Sequence, residues 1–215
     1  LFVKVQKMAR VGVYIDGFNL YHAIDDLEKP ILKWVDLMTL GKGFLQEGDS
    51  IHKVYYFTAI QLWNMVKSRR HKRYIDALEA VGVTTKISKF LNSSKYCKAN
   101  DWYCDFKEEK QTDVSFAVQL LLDAVDGNID TAVLVTADTD HVPLVAAIDA
   151  RFPKIKLVLA PPPGRMGQAW ELGEIIRERV EITEGRLRTC LLPRTVLKPN
   201  GKLAATCPTE YISGG

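Results

Sequence analysis

No stretch of this chain approaches the roughly 20 consecutive apolar residues that a membrane-spanning helix requires, and Leu1–Arg10 is too short and too charged for a signal peptide. A cytoplasmic protein with no membrane partner is therefore the expectation. Cys-x-x-Cys pairs are also missing. The cysteines stand at 97, 104, 190 and 207, no histidine pair at ligand spacing follows them, and a chain of this size has no need of a disulfide framework. Reduced thiols are the reading, and a structural zinc is disfavoured. There is no Gly-x-Ser-x-Gly elbow and no P-loop, so neither of those hydrolase designs is written here. A large excess of one charge is lacking as well. With 29 Lys and Arg against 26 Asp and Glu the net charge is only +3, which permits a nucleic-acid partner without demanding one.

What is present is material for one core. Of 215 residues 47% are hydrophobic, which suits a single sizeable domain with a short appendage. Apolar and β-branched runs at Val11–Ile15, Val54–Ile60, Val83–Phe90, Thr131–Thr136 and Ile155–Ala160 predict five strands. Between them, helical periodicity marks Val35–Leu45, Arg69–Val81, Val114–Val125, Val142–Ala150 and Gln168–Arg179; the third rests on Val114, Ala117, Val118, Leu121, Leu122 and Val125. Strands alternating with helices predict a three-layer α/β fold around a mainly parallel sheet of about five strands. The polar stretch Asn92–Gln111 reads as a loop or flap over the sheet edge, and Pro161-Pro162-Pro163-Gly164 as a rigid turn into the last helix. The expected organisation is an N-terminal extension at 1–10, a domain at 11–183, and a basic tail or small edge hairpin at 184–215, with any hairpin around Arg186–Leu192.

The chemistry is carried by aspartates placed where apolar runs end. Asp16 closes Val11–Ile15, while Asp138 and Asp140 close Ala132–Thr136. Open α/β sheets present ligands at the carboxyl ends of their strands, so the two clusters are expected to meet. Asp113 starts the helix at Val114, and a helix that follows a strand begins on that same edge. Facing carboxylates repel unless a cation or a shared proton neutralises them, which predicts Mg²⁺ or Mn²⁺ held by oxygen ligands and water. The competing reading is structural: Asp113 and Asp140, with Thr112 or Thr139, are good helix N-caps. Asp16, before Gly17-Phe18-Asn19, has less need of that explanation, and Asp138 stands near a second aspartate that would repel it. Asp76, Asp123, Asp126 and Asp149 read as solvated helix faces.

Three segments together resemble the signature of NYN domains, within the PIN-like nuclease superfamily: Tyr14-Ile15-Asp16-Gly17-Phe18-Asn19-Leu20, Glu109-Lys110-Gln111-Thr112-Asp113-Val114 and Val135-Thr136-Ala137-Asp138-Thr139-Asp140. They stand in the family's order over about residues 11 to 180. The resemblance implies a Rossmann-like PIN fold and a metal-dependent endoribonuclease with Asp16, Asp113, Asp138 and Asp140 as catalytic and metal-binding residues. It also implies hydrolysis to a 5′-phosphate and a 3′-hydroxyl. Asn19 and Thr136 would support the site, Asn19 by orienting a ligand or water. The third segment departs from the family's usual Ser-Gly-Asp-x-Asp-Phe, having Thr136-Ala137 and then His141, either a proton carrier or an aromatic substitute.

An RNA partner would need positive charge near this acidic pocket. The densest basic run is Lys67-Ser68-Arg69-Arg70-His71-Lys72-Arg73, flanked by Trp63 and Tyr74. Arg69, Arg70, Lys72 and Arg73 are its candidate phosphate contacts, against the alternative of a solvated helix face. Arg165 is a further candidate, with Lys95 and Lys98 in the polar flap, whose Trp102 and Tyr103 either stack bases or cover the core. Self-association into a homo-oligomer is left open. Two other classes compete: a catalytically silent PIN-like module for RNA binding or complex assembly, and another Mg²⁺-dependent phosphoryl hydrolase. A haloacid-dehalogenase-type phosphatase would place Asp-x-Asp after the first strand, where this chain has Asp16-Gly17-Phe18.

Overall fold

The computed structural model describes residues 8–99 and 101–212; residues 1–7 of the expected extension and 213–215 of the expected tail lie outside the described residues. The principal strands are β1 (Arg10–Asp16), β2 (Ser50–Ala59), β3 (Thr84–Cys97), β4 (Trp102–Lys110), β5 (Thr131–Val135), β6 (Lys156–Leu159) and β7 (Glu178–Arg179). They form one seven-stranded sheet in the order β4-β3-β2-β1-β5-β6-β7. Every pairing is parallel except β3–β4. The three-layer α/β reading therefore holds, with a sheet larger than five strands.

The sheet separates two cores because successive side chains of its central strands point to opposite faces. Val11, Val13 and Ile15 of β1 pack with Leu20 and Ile24 of α1 (Gly17–Asp25), Leu37 and Leu40 of α2 (Leu37–Lys42), and Tyr74 and Leu78 of α3 (Met65–Ala80). Tyr14 of β1 and Leu134 of β5 pack instead with Phe116 and Leu120 of α4 (Thr112–Val125), Val145 and Ile148 of α5 (Val142–Arg151), and Leu172 of α6 (Trp170–Ile175). β1 and β5 are buried on both faces, as parallel central strands must be.

Several expectations are corrected. The Asn92–Gln111 flap is the far half of a long hairpin, with β3 continuing to Cys97 and β4 returning to Lys110. No residue of β4 is fully buried, so no alternation betrayed it. Trp102 and Tyr103 are 73% and 62% exposed and do not cover the core. The stretch Arg186–Leu192 belongs largely to a helix, α7 (Glu184–Thr189); the hairpin comes later, as β8 (Thr195–Leu197) paired with β9 (Leu203–Thr206). Leu187, Leu192, Val196 and Ala205 enter the first core, and Leu192 N–H donates to Trp34 O at 3.0 Å. Scattered apolar residues in a basic, proline-containing stretch concealed this packing. A last short helix, α8 (Thr209–Ile212), follows.

Helix α4 has the expected period and the opposite phase. Phe116, Leu120 and Ala124 are buried, whereas Val114, Val118, Leu121, Leu122 and Val125 are exposed. A helix that is apolar on both sides does not declare which face turns inward. Asp123, expected in solvent, is buried and accepts the Tyr14 hydroxyl at 2.7 Å and the Tyr55 hydroxyl at 3.4 Å. These bonds supply what a buried carboxylate needs in place of water. Among the described residues no helix is long and apolar enough to cross a membrane.

Candidate active site at the carboxyl edge of the sheet

The chain runs from β1 to β2 on one side of β1 and pairs β1 with β5 on the other, so the sheet's switch point lies between β1 and β5. Ile15 is in register with Val135, which makes Asp16 and Thr136 the next residues on adjacent strands. The Thr136 hydroxyl donates to Asp16 Oδ2 at 3.0 Å, and Asp16 Oδ1 accepts the Asn19 N–H at 3.0 Å. Asp16 is thus the N-cap of α1, a structural task the sequence did not suggest. Gly17 is required for this sharp strand-to-helix turn: a Cβ there would lie 2.5 Å from Phe57 O. Asn19 Oδ1 accepts the Ala137 N–H at 3.0 Å and ties α1 to the loop after β5. In that loop Thr136 Oγ1 accepts the Asp138 N–H, and Asp138 Oδ1 accepts the Asp140 N–H.

Asp113 arrives from the far side. β4 ends at Lys110, Gln111 takes a left-handed conformation with φ 82°, and α4 begins at once with Asp113 in its first turn. A left-handed non-glycine residue is uncommon and is held only where its surroundings fix it. Asp16, Asp113 and Asp138 come together on one cleft of about 390 Å³, lined also by Asn19, Glu109, Thr112, Arg165 and Gln168. Asp140 is exposed and does not line it. Arg165 does, with its guanidinium paired to Asp26. The basic run wraps α3: Arg69, Lys72 and Arg73 are exposed, whereas Arg70 is half-buried and 3.8 Å from Glu210. The structure does not bring these residues into the carboxylate cleft.

The electrostatics are those of carboxylates held together. Burial pushes the Asp16 carboxyl up; the Asn19 N–H, His141 and the Thr136 hydroxyl work against this, and Asp113 adds to it. Partial burial raises Asp113, His141 opposes, and repulsion from Asp138 and Asp140 contributes further. Glu109 is pushed up to about 7, first by burial and then by Asp16 and Asp113, with the Thr112 hydroxyl partly offsetting. Sequence reasoning placed Glu109 in a signature segment and gave it no role; its position at the end of β4 was hidden because β4 was. His141 is 2% exposed, stacks on Phe116 with ring centroids 4.3 Å apart, and sets Nε2 4.0 Å from Asp16 Oδ2.

Buried side-chain atoms without a hydrogen bond, among the described residues, include Glu109 Oε1, Thr112 Oγ1 and His141 Nε2. Two of these residues line the cleft and the third is against Asp16. Thr112 and Glu109 lie close enough for the hydroxyl to lower the Glu109 carboxyl and so can partner each other, which leaves His141 Nε2 as the buried atom that calls for a partner. Among the described residues no group of three His, Cys, Asp or Glu is set to hold an ion. The donor set is hard oxygen throughout, so it fits a small divalent cation carried by one or two carboxylates with water completing its shell.

An open sheet with carboxylates gathered at its switch point is an architecture of PIN-like nucleases. The chain belongs to the NYN domain family of that superfamily, whose model matches residues 10–170. It is 27% identical over 229 aligned residues to the 6-hydroxy-3-succinoylpyridine 3-monooxygenase HspA of Pseudomonas putida (strain DSM 28022 / S16), an alignment covering 87% of this chain and 71% of that protein. The fold also resembles the crystal structure of a protein of unknown function from Vibrio parahaemolyticus RIMD 2210633. That likeness has a TM-score of 0.59 at 18% identity and covers 88% of this chain and 99% of the other.

The raised carboxyls have a consequence for stability. A folded-state pKa above the unfolded value means that the native protein holds protons the unfolded chain has released, so stability falls as pH rises through that window. For Glu109 the window runs from the ordinary 4.5 to about 7. Thermal unfolding in chelator is expected to show Tm decreasing across this range, with a shallower decrease in Glu109→Gln and in saturating Mg²⁺. A Tm that rises with pH between 4.5 and 7 would contradict the electrostatic reading.

Proposed function

We propose that this protein is a metal-dependent ribonuclease that hydrolyses RNA phosphodiester bonds at the cleft formed by Asp16, Asp113 and Asp138. The observation that carries the reading is the meeting of these carboxylates, with Glu109, on one cleft, in a chain of the NYN family. One or two of Asp16, Asp113 and Asp138 would hold Mg²⁺ or Mn²⁺ directly with water completing its shell, and Asp140 lies outside the cleft. Once bound, such an ion polarises the scissile phosphate and lowers the pKa of a coordinated water. The chain's own part is positioning. Asn19 and Thr136 fix Asp16 and the Ala137–Asp138 backbone through hydrogen bonds at 3.0–3.1 Å. Glu109, titrating near neutrality, is suited to take up or release a proton. Exposed Trp102 and Tyr103 on the hairpin offer stacking faces for RNA.

A second reading draws on the P. putida relative, whose name assigns it oxygenation of a substituted pyridine. A cavity of about 200 Å³ lined by aromatic side chains, beside the carboxylate cleft, favours a small planar ligand. The two readings part on one assay. RNA and DNA incubated with and without Mn²⁺ are expected to show metal-dependent cleavage of RNA, reduced by about 10²-fold or more in Asp16→Asn and Asp138→Asn. Asparagine is itself a good N-cap, so α1 should persist and Tm should hold or rise as repulsion is relieved. Metal-independent cleavage, or no cleavage together with oxygen uptake on a pyridine acid supplied with NADH as the two-electron reductant, would reject the metal-dependent nuclease reading.

Self-association is the natural use of the exposed aliphatic stripe on α4. Val114, Val118, Leu121, Leu122 and Val125 repeat at helical spacing without a charged residue among them, and an apolar stripe of this kind marks an interface. Sedimentation velocity is expected to give a dimer that Leu121→Asp converts to monomer. A monomeric wild type at tens of micromolar would assign the stripe to something other than a second copy.

A further inference from the structure

A second cavity adjoins the carboxylate cleft and shares Phe18 and His22 with it. It is bounded by α1, the end of β2, α3 and α8, and its character is the reverse of its neighbour's. The walls are largely aromatic, from Phe18, Tyr21, Tyr56, Tyr74 and Tyr211. Its lining is net positive, from Lys33, Lys67 and Arg70 against Asp25, with Lys33 paired to Asp25 and Arg70 3.8 Å from Glu210 just outside. Lys67 and Arg70 lie one turn apart on α3 and share a face. At the wall, buried Thr58 places Oγ1 3.2 Å from His71 Nε2. Burial lowers His71 to about 4, so near neutral pH its ring is an uncharged hydrogen-bonding partner.

Size, shape and charge select the ligand. A volume of about 200 Å³ is below the roughly 300–1,000 Å³ of pockets that enclose a drug-sized molecule, so of a nucleotide it encloses the base, with the phosphate left outside at exposed Lys67. Aromatic faces stack any nucleobase, and lysine and arginine together bind phosphate. Phe18 and His22 border both spaces, so a nucleotide held here lies beside the carboxylate cleft. We propose that this cavity binds one nucleotide of the substrate, its base among the aromatic rings and its phosphate on Lys67 and Arg70, next to the phosphodiester that enters the cleft. The inference rests on the hydrolase reading for its second half and stands on the cavity alone for its first.

The Arg70 guanidinium lies 6.0 Å from the centre of the Tyr211 ring and 3.8 Å from Glu210. The last helix therefore holds Arg70 at the cavity, and Tyr211 is one of the stacking faces.

The test is binding of adenosine 5′-monophosphate to the full chain in EDTA, followed by calorimetry or by NMR shifts. The nucleotide is expected to bind without metal, more tightly than adenosine or ribose 5-phosphate. The double variant Lys67→Gln/Arg70→Gln is expected to weaken it about tenfold or more. Tyr211→Ala provides a second variant that removes a ring and leaves both cations. Lys67 is exposed, and an unchanged Tm would show that the fold survives. No binding at millimolar nucleotide, equal binding by both variants and wild type, or binding of pyridine-3-carboxylate in place of the nucleotide would each overturn the inference. Parallel assay of RNA cleavage in Mn²⁺ separates the two claims. Cleavage without nucleotide binding removes this subsite and leaves the hydrolase; nucleotide binding without cleavage removes the hydrolase and leaves a nucleotide site.

Discussion

One adjacency governs this molecule: β1 and β5 are neighbours in register although more than a hundred residues separate them in the chain. The strands carry no charge into their shared interior. Each changes from apolar to acidic where it leaves the sheet, Asp16 after Ile15 and Asp138 three residues after Val135. Parallel pairing puts both changes at one end. Among the described residues, His141 Nε2 stays 4.0 Å from Asp16 and the Arg165 guanidinium turns to Asp26, so neither offsets the repulsion by close contact. The carboxyls respond by holding protons more tightly, and buried polar atoms around them lack hydrogen bonds.

The surrounding structure serves to keep these groups where they are. Asn19 bridges α1 to the loop after β5, Thr136 both donates to Asp16 and accepts from Asp138, and the left-handed turn at Gln111 swings Asp113 over the cleft from a different part of the sheet. Beneath them the Tyr14 hydroxyl anchors α4 to β1 through buried Asp123. α4 is therefore held at two levels, and it is the helix that bears Asp113. An acidic cleft and a cavity with aromatic and cationic lining then stand side by side, both bordered by Phe18 and His22.

The sequence made legible what depended on strong local patterns. Val11–Ile15 and Thr131–Thr136 are dense apolar runs, and from them followed the strands, the parallel sheet and the edge on which Asp16 and Asp138 emerge. The three signature segments identified the family for the same reason, since each follows or ends a strand. Illegible features had weak or ambiguous patterns. β4 is fully buried on neither face, which hid Glu109; α4 is apolar on both faces, which left its phase undetermined and made buried Asp123 look solvated. α1 starts on a glycine directly after β1, and Asp16, read from the sequence as a site residue, is also its N-cap. The aromatic cavity joins α1, β2, α3 and the distant Tyr211, and no local window contains that combination.

The nuclease assignment depends on whether the gathered carboxylates bind a cation. Anomalous diffraction from crystals soaked in Mn²⁺ measures this directly, independently of any substrate. The expected result is a peak in the cleft with at least two of Asp16, Asp113 and Asp138 as ligands and water in the remaining positions, lost in Asp138→Asn. A saturating soak that leaves the cleft without anomalous density, or places the ion elsewhere on the protein, would contradict it.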